Sequence, residues 1–98
     1  MKTDITTQIV LMDVFREREY QYNKWGDRST LEVKDDFEKL PVLGEEFGEV
    51  NEHLAERANG VDYGDQALYS ELIQTAAVAV SWAESIQKRN GGELDYRK

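Results

Sequence analysis

Cysteine is absent from this 98-residue chain, which removes disulfide frameworks and thiolate chemistry together. Histidine occurs once, so the histidine-rich zinc sites are excluded as well. Basic residues are the minority charge: 12 Lys and Arg stand against 20 Asp and Glu, for a formal net charge of −8. Phosphate backbones and anionic membranes are bound through Lys and Arg, so this balance argues against a nucleic-acid polymer or a membrane as partner. It leaves room for a small phosphorylated ligand whose charge a cation neutralises. Long apolar runs are missing too. The longest, Ala76 to Val80 with Ser81 and Trp82 after it, falls far short of the roughly 20 residues of a membrane span. Met1-Lys2-Thr3-Asp4 lacks an apolar signal region, and a soluble cytoplasmic protein is the expectation.

What is present is helical periodicity. Ile5, Ile9, Leu11, Met12, Val14 and Phe15 follow a capping Thr3 or Asp4 and predict a helix to about Asn23. Its charged second half, Arg16-Glu17-Arg18-Glu19, reads as largely solvated. Lys24 to Thr30 breaks the pattern, with Gly26 as a stop. A short helical turn fits Leu31 to Lys39, and the single proline, Pro41, suits the first turn of the next helix. From Pro41 to about Ala58, Leu43, Phe47, Val50 and Leu54 recur at helical spacing, which makes Phe47 a core residue. Asn59-Gly60 ends that helix, and a loop through Asp65 leads to a last helix from about Gln66 to Arg89, stopped by Asn90-Gly91-Gly92. Residues 1–90 read as one helical domain and 91–98 as a polar, frayed tail. The fold class is all-α. A domain this small buries a limited core, and packing against a second copy would help.

The chemistry concentrates in Glu45-Glu46-Phe47-Gly48-Glu49. At about 100° per residue, Glu46 and Glu49 share one helix face, at the margin of the apolar stripe rather than opposite it. Gly48 costs helix stability and gives space for a ligand or a neighbouring helix. On the last helix Glu71 opens an almost wholly apolar stretch that contains no further acid until Glu84. Carboxylates brought together repel unless a cation lies between them, and hard divalent ions such as Mg²⁺ are the usual guest. A solvated acidic helix edge is the competing reading.

These residues resemble the signature of the MazG-like all-α nucleoside triphosphate pyrophosphohydrolases. That signature is Glu-Glu-x-x-Glu on one helix and Glu-x-x-Asp on the next. Glu45 to Glu49 matches the first half. Glu71-Leu72-Ile73-Gln74 matches the second except at its last position. Leu72 to Trp82 and Lys24-Trp25-Gly26 are also similar to segments of one branch. The resemblance implies a helical bundle completed by oligomer packing, as a homodimer or homotetramer. It implies Mg²⁺- (or Mn²⁺-) dependent cleavage of a (d)NTP to the monophosphate and pyrophosphate, in the housecleaning of nucleotides. Glu46, Glu49 and Glu71, with Gln74, would hold the metal, and Glu45 would be the catalytic base. Gln74 offers a neutral amide oxygen where the family has a carboxylate. It therefore keeps open a catalytically weak helical module that binds a nucleotide or a protein.

Lys24 and Trp25 fit phosphate and base contacts in a substrate site, and equally a surface lysine and a loop anchor. Trp82 reads as core or interface. His53, one turn beyond Glu49, reads as a neighbour of the acidic stripe rather than a ligand. Arg16, Arg18 and Lys39 are generic phosphate contacts that nothing in the sequence distinguishes from solvated charges.

Overall fold

The computed structural model describes residues 4–25 and 36–98, and of Trp25 only the backbone. Among these residues the chain is all-helical, with α1 (Ile5–Trp25), α2 (Asp36–Ala58) and α3 (Gly64–Arg89) and no strand. The expected Thr3 cap, Gly26 stop and turn over Leu31 to Asp35 lie outside the described residues. None of the described helices is long and apolar enough to cross a membrane.

Local chemistry sets the start of α1 and the ends of α2 and α3. Asp4 accepts the Thr7 amide at 3.0 Å and so caps α1. At the end of α2, Gly60 takes φ +90°, Gly60 N–H bonds the Arg57 carbonyl, and Val61 N–H reaches back to Glu56 at 2.8 Å. That crossed pair satisfies two orphan carbonyls and turns the chain. The Asn90-Gly91-Gly92 stop repeats the device on Gln87 and Lys88. Beyond it the tail is exposed, and the Gln87 amide both donates to and accepts from the Leu94 backbone.

α3 is the spine, and α1 and α2 each pack along it. On the α1 side Val14, Ile73 and Ala77 form a small core with Val10, Tyr69 and Ala76 around it. Polar ties reinforce both seams. Tyr69 donates to Asp13 at 2.5 Å, and the Arg18 guanidinium grips both Glu84 oxygens at 3.1 and 2.8 Å. Across the other seam Lys39 donates to Ser85, while Asp36 receives the Trp82 indole N–H and the Arg89 guanidinium, each at 2.8 Å.

Several sequence expectations change here. Arg18 and Lys39 are buried, not solvated, because each long side chain reaches a polar partner on α3 across its seam. Arg16, two residues away on another face, remains exposed. Pro41 sits inside α2 rather than in its first turn. The missing N–H removes one bond near the helix start, where the anchors of Asp36 and Lys39 hold the backbone helical. Phe47 is 57% exposed and does not belong to the core of this chain. Of the apolar stripe on α2, only Val50 is buried.

Candidate metal centre

α2 and α3 run antiparallel, with a charged pair across the seam at each end. Asp36 meets Arg89 at one end, and Arg57 meets Asp65 at 3.6 Å at the other. Halfway between them the acidic stripe of α2 faces Glu71. One carboxylate oxygen from each of Glu46, Glu49 and Glu71 lies within 4.8 Å of the other two. The Glu46 and Glu71 Oε2 atoms are buried and have no hydrogen-bond partner.

Such an arrangement is costly for the bare protein. Burial raises the Glu46 carboxyl above its ordinary 4.5, and the charges of Glu49, Glu71, Glu45 and Glu17 push it the same way. Glu71 is raised by burial first, then by a hydrogen bond with Glu49 and by its charge, against a smaller opposing effect of His53. The His53 Nε2 is 4.0 Å from a Glu71 oxygen, and its ring meets Tyr63 edge-on at 5.6 Å. Two orphaned carboxylate oxygens and a third acid beside them fit a hard divalent cation. Oxygens around a Mg²⁺ lie about 3 Å apart as neighbours and about 4 Å apart across it, so a set within 4.8 Å would draw inward to share one ion.

The shifts have a definite pH signature. Both carboxyls are raised, so the folded metal-free protein holds more protons than the unfolded chain above their ordinary 4.5. Their contribution to stability therefore falls as pH rises through that window. In chelator-treated protein, the thermal midpoint should decline as pH rises above the ordinary 4.5 of these carboxyls, and Glu46→Gln should flatten the slope. A midpoint in the wild type that rises across this range would contradict the assignment.

Two clefts flank the carboxylates. One, of about 380 Å³, is lined by Glu49, Glu52, His53, Glu56, Tyr63, Ala67 and Glu71. The other, of about 250 Å³, opens between α1 and α3 and contains Asp13, Glu17, Tyr69, Ser70 and Gln74 among its walls. Gln74 thus lies in the cleft shared with α1. Glu45 is exposed on α2 beside Glu46. Lys24 stands exposed on the last turn of α1, its ammonium 5.8 Å from the Tyr20 ring centre, and the two clefts are lined by other residues. The side chain of Trp25 is outside the described residues.

Sequence reading passed over Asp13, Glu17, Tyr63 and Tyr69. Asp13 and Glu17 stand four apart and so share a face of α1, a signal masked by the dense charge around them. No spacing rule would bring Tyr63 to His53, because the contact depends on the turn after Gly60. Comparison with family models, with curated proteins and with solved structures gives no significant match.

Proposed function

We propose that the chain is a divalent-metal-dependent nucleotide pyrophosphohydrolase of the MazG-like type, cleaving (d)NTP to (d)NMP and pyrophosphate as a homo-oligomer. The observation that carries this reading is the pair of buried, unpartnered oxygens on Glu46 and Glu71 beside Glu49. Glu46, Glu49 and Glu71 are the metal-holding residues. Mg²⁺, or Mn²⁺ in its place, would supply charge neutralisation for a polyphosphate and a more acidic water. Glu45, on the exposed side of the same turn, is the proposed base. It takes a proton from the water that attacks the α-phosphorus, the α–β anhydride bond breaks, and pyrophosphate leaves. No protein nucleophile is required, since such transfers depend on positioning and charge.

The oligomeric part of the reading is supported by surface that one chain leaves uncovered. The accessible area is 7438 Å², against roughly 5,700 Å² for a folded monomer of this mass. The radius of gyration is 15.2 Å, where a compact chain of this length has about 13 Å.

The test is pyrophosphate release from canonical and modified triphosphates with Mg²⁺ or Mn²⁺. Turnover that depends on the metal supports the reading. Calorimetric nucleotide binding without turnover would favour the catalytically weak module instead. Absence of both nucleotide binding and turnover would overturn the enzyme reading and leave only the protein-binding form of the module.

A further inference from the structure

The cleft between α1 and α3 has a chemistry of its own. Its walls carry Asp13 and Glu17 from α1 and Gln66, Tyr69, Ser70 and Gln74 from α3, with Ile73 as its apolar member. At about 250 Å³ it is smaller than the roughly 300–1,000 Å³ of clefts that enclose a whole ligand. It is suited to part of one.

Much of this lining is already held in place. Tyr69 donates to Asp13, the Gln21 amide donates to Glu17 at 3.2 Å, and the Gln66 amide donates to the Ser70 hydroxyl at 3.1 Å. The Gln74 side chain is half-buried and lines the cleft. Its amide offers one acceptor and two donors in a plane. The cleft lies close to the carboxylate cluster along α3, where Gln74 follows Glu71 by three residues, about one turn.

We infer that this cleft receives the base of the nucleotide, and that Gln74 reads the base edge rather than holding the metal. The inference rests on the nucleotide reading given above. Ionised Asp13 and Glu17 only accept hydrogen bonds, so the ligand edge they face must donate. An exocyclic amino group beside a ring nitrogen meets that need, and it also matches an amide in two bonds at once, as Gln and Asn pair with adenine. Adenine and cytosine carry such an edge, and guanine, with a ring N–H beside its amino group, suits the two carboxylates as well. Thymine and uracil present carbonyl oxygens there, which two carboxylates disfavour. The class of substrate is therefore a nucleoside triphosphate with an amino-bearing base.

The experiment is calorimetric binding of the α,β-methylene analogues of dATP, dCTP and dTTP in the presence of Mg²⁺, on wild type and Gln74→Leu. Mn²⁺ affinity without nucleotide and the far-UV spectrum serve as controls for metal site and fold. In the wild type the dATP and dCTP analogues should bind about tenfold or more tighter than that of dTTP. Gln74→Leu should erase that preference while leaving Mn²⁺ affinity within about twofold; Ser70→Ala, a milder change in the same wall, should reduce it. Mn²⁺ affinity that collapses in a folded Gln74→Leu protein would return Gln74 to the metal and overturn the inference. A wild type that cleaves all three parent nucleotides equally well would overturn it too, with the pyrophosphohydrolase reading intact. Metal binding without any nucleotide binding would defeat both readings.

Discussion

Glu46→Gln and Glu49→Gln should each lower kcat/KM for triphosphate hydrolysis by about 10²–10³-fold or more, the scale of losing one charge-stabilising group. The same substitutions should split the thermal stability of the protein by metal content. In the wild type, metal at about a hundred times its dissociation constant stabilises by ~2.7 kcal/mol. For a domain of this size that is a rise of about 10–20 °C in the midpoint. Glu46→Gln should lose most of that gain. In chelator the order reverses: the variant should melt at or above the wild type, because a neutral amide replaces a buried carboxylate that has an unpartnered oxygen and like charges around it. Differential scanning fluorimetry with and without Mn²⁺ reads both effects. A Glu46→Gln protein that melts well below the wild type in chelator, yet retains the full metal shift, would remove Glu46 from the site. Glu45→Gln separates the roles. It should depress turnover and leave the metal shift nearly unchanged, since Glu45 is exposed and is proposed to act on water.

The carboxylate cluster was legible because each part follows from a local rule. Spacing of three places Glu46 and Glu49 on one face, and a glutamate opening an apolar helix marks Glu71. What brings them together is not local. The antiparallel pairing of α2 with α3 brings Asp36 to Arg89 and Arg57 to Asp65, and those residues look like ordinary surface charges in the sequence. Lys39 and Arg18 were misread for the same reason: charge alone does not reveal that a partner waits on another helix. The helix ends were easier, as Asn-Gly at both stops supplies the left-handed residue that the turn needs. Pro41 was misplaced because a rule about helix starts gave way to tertiary anchoring. Phe47 shows a different limit. Periodicity identified it as apolar and helical, but it cannot say whether the surface it faces belongs to the same chain.

That surface leads to the second large effect. On α2 the residues Phe37, Leu40, Gly44, Phe47, Asn51, Leu54 and Ala58 alternate at three and four, the spacing of a helix-pairing seam. All seven are exposed, with Phe37 at 86% and Phe47 at 57%. A methyl group added at Gly44 or Gly48 would meet nothing within 4 Å, so this side of the helix is open to a second helix at close range. Meanwhile the apolar residues buried within the chain are only Val14, Val50, Ile73, Ala77 and Val78 among those described, a thin core for a stable monomer. Covering Leu40, Phe47 and Leu54 would contribute about 1.5–3 kcal/mol for each side chain, counted on both copies of a symmetric pair. Sedimentation should therefore find the wild type at a multiple of 11.3 kDa, and association should strengthen with salt, because a net charge of −8 on each copy is screened. Leu40→Glu with Leu54→Glu should shift the protein to the single-chain mass and lower its melting midpoint by about 10 °C or more. Thr6→Glu with Gln8→Glu, an equally charged change on the exposed surface of α1, should do neither. A double variant that keeps the wild-type mass and midpoint would exclude this face of α2 as the seam, and the uncovered apolar side of α1, around Ile9, Met12 and Phe15, would then be the surface to alter.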